Sequence, residues 1–592
     1  MGPGDSNSRV GRVENGHVVD PFQLDATPSD AGDAQDGSWI RLGPEGTELL
    51  AAPGSARAKL WNLAAERELR FYYPPAALRE AAQWVARPRI DDPSLDDLTH
   101  LPFVTIDEPH SKDLDQAVCV EQVGDGWVVW YAIADAAHFV PAGSALLAES
   151  LARGSTFYLP GLVFPMLPRS LSEDLVSIGP EIDRRALVFR VELDRTGEVK
   201  TSRILRARVR SRCKTSYEAV QTFYDGGTVQ LGASRSRDAV ARSLDALREV
   251  GEARMRRAAE HEVVQVQRRE ISVGLDDDTA SALRFVAMAD PRYDSERYNE
   301  QISLLCNVVG ARLLSAGDDD RVQGIYRFHT PPDEYRLDRL RRKIDAVVRH
   351  RARAPGAAPH TDAWRWRRGR ESLAGYLSRL PADAETSRLR AALHRQALLA
   401  AGRAGFGPVP GVHHGVGAEA YARFTAPMRE VVGIFVHKET WEKLGIVAPE
   451  PTADDERLRD EVMSAADRSR QLQRRLDHDT NRLVLDQLFG DDLASAEPPS
   501  RRGTVLGIDR RKTYVQLDDP PIDVKVYHRH LADRLGERVE AGYDGVSLRA
   551  GRRHFLALGD AVTLQVLGVD RSADRWQLDV RTADETADRP SR

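Results

Sequence analysis

The sequence has 592 residues, more than one hydrophobic core usually serves, so we expect a large domain with one or two smaller ones. Its 84 lysine and arginine residues stand against 90 aspartate and glutamate residues, giving a net charge of −6 and excluding a global positive field. Any surface that binds nucleic acid must therefore be local.

The three cysteines, Cys119, Cys213 and Cys306, lie far apart and form no CxxC pair. This spacing argues against a structural zinc site and is typical of buried or free thiols in a reducing compartment. The N-terminus has no basic-then-apolar signal pattern, and no apolar run is long enough to span a bilayer. These features predict a cytoplasmic protein with no membrane partner.

Residues 1–37 are rich in glycine, serine and aspartate with few large apolar side chains, which predicts a disordered leader. In residues 38–100, the apolar positions of AKLWNLAAERELRFYY and PPAALREAAQWVARP recur at intervals of three and four. This period favours short amphipathic helices separated by prolines. A short helical region would thus precede the main domain.

The stretch Leu101–Val120, LPFVTIDEPHSKDLDQAVCV, places three carboxylates between two apolar runs. Asp107 would follow the end of a strand, and an extended backbone would point Asp113 and Asp115 to one face. Clustered carboxylates repel one another unless a divalent cation neutralises them, and their hard oxygens suit magnesium or manganese. A solvated acidic turn is the alternative interpretation.

The next stretches alternate strands, turns and helices. GDG at 124–126 separates CVEQV from WVVWYAIAD, as in a β-hairpin. Residues 236–270 and 296–316 carry apolar stripes typical of helices. The strongly basic segment 335–355 could lie along a phosphate backbone or could be a solvated helix face.

Thr425 followed by Ala-Pro-Met-Arg predicts a helix N-cap with proline in the first turn, in a helix that ends near Gly445. Arg429 would then lie beside a helix N-terminus, where an anion is already favoured. Its guanidinium could hold a phosphate through two hydrogen bonds, which a lysine could not reproduce. A surface arginine on an amphipathic helix is the alternative.

Residues 498–583 contain five short β-type runs separated by turn residues, the rhythm of a small antiparallel barrel. Lys512 and Tyr514, with neighbouring arginines, combine positive charge with an aromatic ring, which suits single-stranded nucleic acid. A purely structural barrel is the alternative. Residues 584–592 are expected to be disordered.

Several of these blocks resemble, in the same order, those of the ribonuclease II/ribonuclease R (RNB) catalytic domain. The blocks are TIDEPHSKDLDQAV at 105–118, YAIADAAHFV at 131–140, RGSTFYLPGLVFPMLPRSLSEDLVSI at 153–178 and HHGVGAEAYARFTAPMRE at 413–430. The resemblance implies a mixed α/β catalytic domain at 101–490 and a C-terminal OB-fold domain at 498–583.

The resemblance also implies an activity: a hydrolytic exoribonuclease that removes nucleoside monophosphates from the 3′ end of single-stranded RNA, acting as a monomer. Asp107, Asp113 and Asp115 would hold Mg²⁺ or Mn²⁺, with Asp115 taking part in catalysis. Arg429 would contact the scissile phosphate. Tyr158 would fix the 3′-terminal nucleotide, although without the resemblance it would read as a core tyrosine. Other family positions that fall on polar residues here are Tyr217 and His413 for RNA contact, Asp477 near the leaving nucleotide, and Glu300 on a helix beneath the site.

Two positions depart from the family pattern. Gln116 stands where the family has a second aspartate, so it could offer a metal a carbonyl oxygen but no charge. Gly433 stands where an aspartate is common. The segment ahead of residue 101 is also too short for the family's two cold-shock-type modules. A weakened or inactive RNA-binding relative is therefore the alternative to a nuclease, whereas an unrelated phosphatase or scaffold would require the 153–178 match to be accidental.

Overall fold

The computed structural model describes residues 8–582, except for 24–28, 45, 261–269, 277–281, 291, 318–320, 353–360, 382, 384–385, 403 and 450. Over these residues the chain is a mixed α/β protein, as predicted. From the N-terminal to the C-terminal end, it consists of a small β-sheet with two helices, a large sheet with helices packed against it, and a second β-rich unit. The three cysteines are buried and unpaired, also as predicted.

The N-terminal part begins with five strands: β1 (Arg9–Glu14), β2 (His17–Val19), β3 (Ser29–Asp30), β4 (Trp39–Gly43) and β5 (Gly46–Ala51). They form one antiparallel sheet in the order β3-β2-β1-β4-β5. Helices α1 (Ala56–Glu66) and α2 (Pro75–Ala86) follow. Trp39 of the sheet stacks on Trp61 of α1 at 5.4 Å between ring centroids, which joins the two layers.

The predicted disordered leader at 1–37 is wrong where the structure describes it, because β1 to β3 lie there. Asn15 and Gly16 both have positive φ and form the two-residue turn between β1 and β2, a strong hairpin signal. Val13 and Val18 are fully buried, so even a stretch with few apolar residues buries one face. The predicted helical region 38–100 also begins with two strands, and its helices start only at residue 56.

The central part contains eight further strands. They are β6 (Asp96–Asp97), β7 (Phe103–Ile106), β8 (Gln116–Val123), β9 (Gly126–Ala134), β10 (Phe157–Leu159), β11 (Leu162–Phe164), β12 (Asp183–Leu193) and β13 (Val199–Thr215). Six of them form a sheet in the order β12-β9-β8-β7-β13-β6. Because β12 also pairs with β13, five strands close on themselves. The predicted hairpin around GDG is confirmed by the pairing of β8 with β9.

Further helices and two separate strand pairs complete this part of the chain. The helices are α3 (Ala136–Phe139), α4 (Ala145–Arg153), a π-helical turn (Ser170–Leu175), α5 (Tyr217–Tyr224), α6 (Ser234–Glu260), α7 (Asp294–Ser315), α8 (Glu334–Ala352), a 3₁₀ turn (Thr361–Trp364), α9 (Leu373–Ser378), α10 (Ser387–Ala400), α11 (Val431–Lys443) and α12 (Thr452–Ala494). The two strand pairs join β14 (Glu270–Leu275) to β15 (Phe285–Asp290) and β16 (Tyr326–His329) to β17 (Ala404–Gly407), which follows only after α10.

The predicted helix at 296–316 is confirmed as α7, and the one at 236–270 is confirmed as α6 as far as Glu260. Residues 261–269 lie outside the described residues, and Glu270 already belongs to a strand. The basic segment 335–355 is helical through Ala352. No described helix combines the length and the apolar character needed to cross a membrane.

The C-terminal unit contains β18 (Arg501–Ile508), β19 (Lys512–Leu517), β20 (Asp523–Tyr527), α13 (His528–Leu535), β21 (Val539–Ala541), β22 (Ser547–Ala550), β23 (Arg553–Ala557), β24 (Ala561–Asp570) and β25 (Arg575–Thr582). Five strands form an antiparallel sheet in the order β20-β19-β18-β24-β25, and β21 to β23 form a second one. The predicted β-rich unit is therefore present, while its assignment as an OB fold stays a prediction. Residues 584–592 lie outside the described residues.

Candidate active site

Asp115 lies at the centre of the site, directly before β8. Its side chain is only 1 % exposed, and its Oδ1 accepts a hydrogen bond from the backbone N–H of Met428 at 3.0 Å. Its Oδ2 accepts a hydrogen bond from Nε of Arg429 at 2.5 Å. The backbone carbonyl of Asp115 accepts the N–H of Ala134 on β9, so the closed sheet fixes its position. Both carboxylate oxygens are thus held by one distant segment of the chain.

Burial is the main influence on the charge of this pair. It raises the pKa of Asp115 to about 6, against the opposing attraction of Arg429 and the Met428 hydrogen bond. Burial alone would lower the pKa of Arg429, but the surrounding acids, led by Asp115, raise it well above its ordinary value. The arginine therefore stays charged, while Asp115 is an acid that can take up a proton near neutral pH.

Asp107 and Asp113 precede Asp115 in the loop between β7 and β8. As predicted, Asp107 directly follows a strand, and its Oδ1 accepts the N–H of Glu108 at 2.7 Å and the hydroxyl of Ser111 at 2.9 Å. Burial raises the pKa of Asp113, against Arg429, and the negative charge of Asp107 raises it further. Asp113 in turn raises the pKa of Asp115. The three carboxylates therefore share one electrostatic environment.

The charge of this group suits a hard cation, because three carboxylates surround a single positive charge, the guanidinium of Arg429. Their oxygens do not all lie within 4.8 Å of one another. Among the described residues, the acidic group whose oxygens do lie within 4.8 Å of one another consists of Glu439, Glu442 and Asp455. There the ammonium of Lys438 already contacts all three carboxylates, at 2.5 to 3.0 Å, so this second group is a buried ion-pair cluster.

The amide of Gln116, the first residue of β8, contacts other segments of the chain. Its Nε2 donates to the backbone carbonyl of Thr425, and its Oε1 accepts the hydroxyl of Tyr131 on β9. The hydroxyl of Ser303 on α7 lies 3.4 Å from the same Oε1. Both ends of the amide therefore have protein partners, and the geometry does not support the predicted role of Gln116 as a possible metal ligand.

The segment that holds Asp115 differs from its prediction. Thr425 is not a helix N-cap, because α11 begins only at Val431. Two backbone N–H groups are used elsewhere: Met428 donates to Asp115, and Val431 donates to the carbonyl of Gly154 at 3.1 Å. Arg429 therefore lies in a turn before the helix. Its carbonyl accepts the N–H of Thr156, which ties this turn to the chain that leads into β10.

Tyr158 lies in the hairpin of β10 and β11, with a side chain 43 % exposed. Its hydroxyl donates to Oδ2 of Asp113 at 3.4 Å, so Tyr158 lies beside the carboxylates, while its role in fixing the 3′-terminal nucleotide stays a prediction. Gln473 of α12 accepts the backbone N–H of Tyr158 at 3.2 Å and donates to its carbonyl at 3.0 Å. The same Gln473 also donates to Asp477 at 2.7 Å. Asp477 therefore lies one side chain away from Tyr158. Sequence reasoning missed Gln473, and an amide on a charged helix gives no local signal.

Three other predicted residues have different surroundings. Tyr217 begins α5, and Asp107 contributes to raising its pKa to about 12, with burial as the main cause. The ring of His413 is tilted by 40° against the ring of Tyr421, with 4.9 Å between the centroids, and burial lowers the pKa of His413 to about 4. Glu300 is exposed on α7 and pairs with Arg292, and none of its described contacts reaches the three carboxylates. Tyr217 is thus close enough to the site for the charge of Asp107 to affect it, whereas Glu300 contacts Arg292 away from the three carboxylates.

Lys512 and Tyr514 lie on one face of β19, opposite Tyr527 and Lys525 of β20. The ammonium of Lys512 is 5.2 Å from the Tyr514 ring centroid, and the guanidinium of Arg575 is 4.3 Å from the Tyr527 ring centroid. Burial lowers the pKa of Lys525, and the positive charge of Lys512 lowers it further. Two lysines and two tyrosines therefore alternate on neighbouring positions of β19 and β20 and combine positive charge with aromatic rings.

Comparison with known proteins identifies the family. The family model of the RNB domain matches residues 95–444, more than half of the chain. The chain belongs to the RNB family. This match includes the carboxylate loop, the Tyr158 hairpin and the turn of Arg429, so the site described above lies inside the RNB domain.

Two curated relatives of the chain are named as ribonucleases. The chain is 28% identical over 495 residues to Ribonuclease R of Vibrio parahaemolyticus, covering 80% of this chain and 54% of that protein. It is 31% identical over 366 residues to Exoribonuclease 2 of Edwardsiella piscicida, covering 61% of this chain and 52% of that protein. The chain therefore spans about half the length of these curated relatives.

Solved RNB-type structures share the fold at low identity. RNase R of Mycoplasma genitalium, in complex with ribose-methylated single-stranded RNA, matches with a TM-score of 0.76 and 18% identity, over 97% of this chain and 90% of that chain. Yeast Ssd1, described as a pseudonuclease, matches with a TM-score of 0.57 and 13% identity, over 96% of this chain and 69% of that chain. The fold is thus compatible with both a nuclease and a protein described as a pseudonuclease.

The second departure from the RNB pattern has a packing reason. Gly433 lies in the first turn of α11, and a Cβ there would be 2.7 Å from Cα of Pro427. That atom belongs to the backbone, so a side chain at 433 would displace the turn that carries Arg429. Glycine at this position allows the close approach of Pro427.

Proposed function

We propose that this chain is a divalent-metal-dependent exoribonuclease that degrades single-stranded RNA from its 3′ end to nucleoside monophosphates. The observation that carries the proposal is the contact of buried Asp115 with Arg429, beside Asp107, Asp113 and Tyr158, within an RNB domain. The names Ribonuclease R and Exoribonuclease 2 of its relatives support the same reaction class.

Arg429 would stabilise the charge that develops on the scissile phosphate. Its Nε is occupied by Asp115, while the side chain remains 35 % exposed, so its outer nitrogens can meet a phosphate. The ion pair fixes the orientation of the guanidinium before substrate arrives, which lowers the cost of ordering it during the reaction. A lysine would offer only a point charge at this position.

Asp107, Asp113 and Asp115 would hold the cation. Burial raises the pKa of both Asp113 and Asp115, and a positive ion in the loop would offset this by stabilising their ionised forms. When bound, a divalent cation would activate a water and stabilise the departing oxygen. The three carboxylates are then responsible for placing the phosphate next to Arg429.

Tyr158 would hold the terminal nucleotide. Its exposed ring offers a stacking surface, and its hydroxyl lies beside Asp113, so a nucleotide stacked there would have its phosphate near the carboxylates. The second surface, formed by Lys512, Tyr514, Lys525 and Tyr527, would bind the RNA further along the strand through phosphates and bases.

The test is digestion of a 5′-labelled single-stranded RNA in Mg²⁺ or Mn²⁺. We expect a ladder that shortens from the 3′ end, and we expect it to disappear with a chelator or in Asp115→Asn. Asp454→Asn, an exposed aspartate that pairs with Arg457 on α12, is the matched control and should retain the ladder. Intact RNA after incubation of the wild-type protein in either metal would refute the nuclease.

The second candidate is an RNA-binding protein without nuclease activity. It is favoured by the engaged amide of Gln116 and by the lack of room for a side chain at Gly433, which remove two acidic positions of the family pattern. The similarity to a protein described as a pseudonuclease fits this candidate as well. Retained binding of the labelled RNA with no shortening would favour it.

A further inference from the structure

We infer that Gln116 is a positioning residue: its amide holds the Thr425–Arg429 turn against β8, so that Met428 and Arg429 meet Asp115, and it does not bind the metal. The inference rests on the proposed nuclease for its kinetic consequences. Its structural part, the attachment of the turn to the strand, stands on the contacts alone.

The amide of Gln116 connects three elements to the turn. Its Nε2 donates to the carbonyl of Thr425, three residues before Met428, while its Oε1 accepts the hydroxyl of Tyr131 on β9. The hydroxyls of Tyr131 and Ser303 are 2.7 Å apart, so α7 joins the same network. Because Tyr131 is buried, this network cannot exchange its partners for water without cost.

A second clamp holds the other side of the turn. Asn307 of α7 is fully buried, and its Nδ2 donates to the hydroxyls of Tyr421 at 2.9 Å and Thr425 at 3.2 Å. Its Oδ1 accepts the N–H of Phe424 at 2.7 Å. Asn307 thus fixes residues 421–425 to the helix, and Gln116 fixes the same segment to the strand that follows Asp115. The two amides together set the distance between Asp115 and Arg429.

An acidic residue at position 116 could not make this attachment. A carboxylate has no proton to donate, so it would face the carbonyl of Thr425 with a negative charge and leave that carbonyl without its donor. An aspartate would also be one methylene too short to reach as far. The glutamine therefore gives this chain a fixed Arg429 turn, and metal binding is left to Asp107, Asp113 and Asp115.

Two variants separate the roles. Gln116→Met keeps the volume but removes both the donor and the possible ligand oxygen, and Gln116→Glu keeps the oxygen and removes the donor. The matched control is Gln487→Glu on α12, where the amide also bridges backbone groups, donating to the carbonyl of Phe285 at 3.1 Å and accepting its N–H at 2.8 Å. Asp113→Asn serves as the reference for a lost metal ligand.

Three quantities should be measured for each protein. They are kcat and KM for RNA, the affinity for Mn²⁺ by electron paramagnetic resonance, and the hydrogen exchange of peptides spanning 421–430. For Gln116→Met and Gln116→Glu we expect kcat to fall about 10- to 100-fold with little change in KM, because a displaced Arg429 loses contact mainly in the transition state. Exchange in 421–430 should rise about 5-fold, the effect of losing one hydrogen bond, and should not rise in Gln487→Glu.

The Mn²⁺ affinity of Gln116→Met should match that of the wild type, whereas Asp113→Asn should bind Mn²⁺ more weakly. A loss in Gln116→Met as large as that in Asp113→Asn, or full kcat with tighter Mn²⁺ binding in Gln116→Glu, would make Gln116 a ligand and overturn the inference. Unchanged exchange in 421–430 would also overturn it. A wild-type protein that leaves RNA intact would refute the nuclease alone, since the exchange and Mn²⁺ measurements still decide the role of Gln116.

Discussion

At the scale of single residues, Arg429 influences the charge of Asp115, and Asp115 influences the orientation of Arg429. The guanidinium compensates a carboxylate that burial would otherwise keep protonated, and the carboxylate fixes the guanidinium in one orientation. We therefore expect the pair to contribute to the proposed catalysis more than to stability, since a buried ion pair often contributes little net stability. Two predictions follow from its geometry and its charge.

Arg429→Lys should lower kcat about 100- to 1000-fold with little change in KM, because a lysine keeps the charge but cannot contact Asp115 and a phosphate together. Single-turnover degradation of a labelled RNA measures the effect. Arg457→Lys, an exposed arginine on α12, is the control and should behave like the wild type. Equal rates for Arg429→Lys and the wild type would show that the guanidinium does not act on the phosphate.

The activity should also fall at acid pH. A raised pKa means that Asp115 holds its proton up to a higher pH, and only its ionised form can pair with Arg429 and attract a cation. At limiting Mg²⁺, kcat/KM should therefore decrease as the pH falls through about 6. More Mg²⁺ should move this midpoint to lower pH, because a cation favours the ionised form. A flat profile between pH 5 and 7, in protein that stays folded, would contradict the role of Asp115.

At the scale of elements, the site depends on how α11 and α12 are held together. Lys438 of α11 contacts Glu439 and Glu442 of its own helix and Asp455 of α12. Burial is the main reason that the pKa of Glu439 is raised to about 7. The cluster joins the helix that follows Arg429 to the helix that carries Gln473, so its stability bears on both sides of the site.

Lys438→Met should destabilise the protein by about 3–5 kcal/mol, because it removes the ammonium that contacts three buried carboxylates. The loss should be larger at pH 8 than at pH 5. Because the pKa of Glu439 is raised in the folded state, Glu439 binds a proton as the pH falls, and this binding stabilises the folded protein. Denaturant unfolding at both pH values measures this. Lys443→Met, whose ammonium donates to the carbonyl of Ala316, is the control on the same helix. Equal losses in the two variants would contradict the prediction.

At the scale of the whole molecule, RNA would have to meet both the RNB domain and the C-terminal unit. The net charge is negative, so binding must use local surfaces, and we propose the alternating face of Lys512, Tyr514, Lys525 and Tyr527 as one of them. α12 lies between this face and the site, because its Gln473 contacts Tyr158 and its His478 lies 3.5 Å from Lys525.

The double variant Lys512→Ala, Lys525→Ala should bind single-stranded RNA more weakly and with a smaller dependence on salt. Each phosphate contact on a single strand contributes about 0.7 to the slope of log affinity against log salt, so the slope should fall by about 1.4. Fluorescence anisotropy in a salt series measures this, with Arg552→Ala and Arg553→Ala on β23 and the turn before it as the control pair. An unchanged slope would place the RNA elsewhere.

Local features of the site and the fold could be predicted from the amino-acid sequence. The three aspartates fall within nine positions between two strands, so their proximity is fixed by short-range geometry, and the β8–β9 hairpin and α7 follow from residue periodicity. The collinear blocks also indicated the RNB family, which the domain match confirms. The N-terminal sheet was missed because its strands are short and weakly apolar, although the Asn15-Gly16 turn was a signal for it.

Contacts between distant segments of the chain became visible in the folded protein alone. Arg429 and Asp115 are 314 residues apart, and Gln473 and Tyr158 are 315 apart, so periodicity and local spacing carry no information about these contacts. The same holds for Gln116, which looks like a weakened metal ligand in the sequence and in the folded chain bonds to Thr425 and Tyr131. The closure of the sheet and the packing of α7, α11 and α12 bring these side chains together, because burying their apolar faces fixes the polar groups between them.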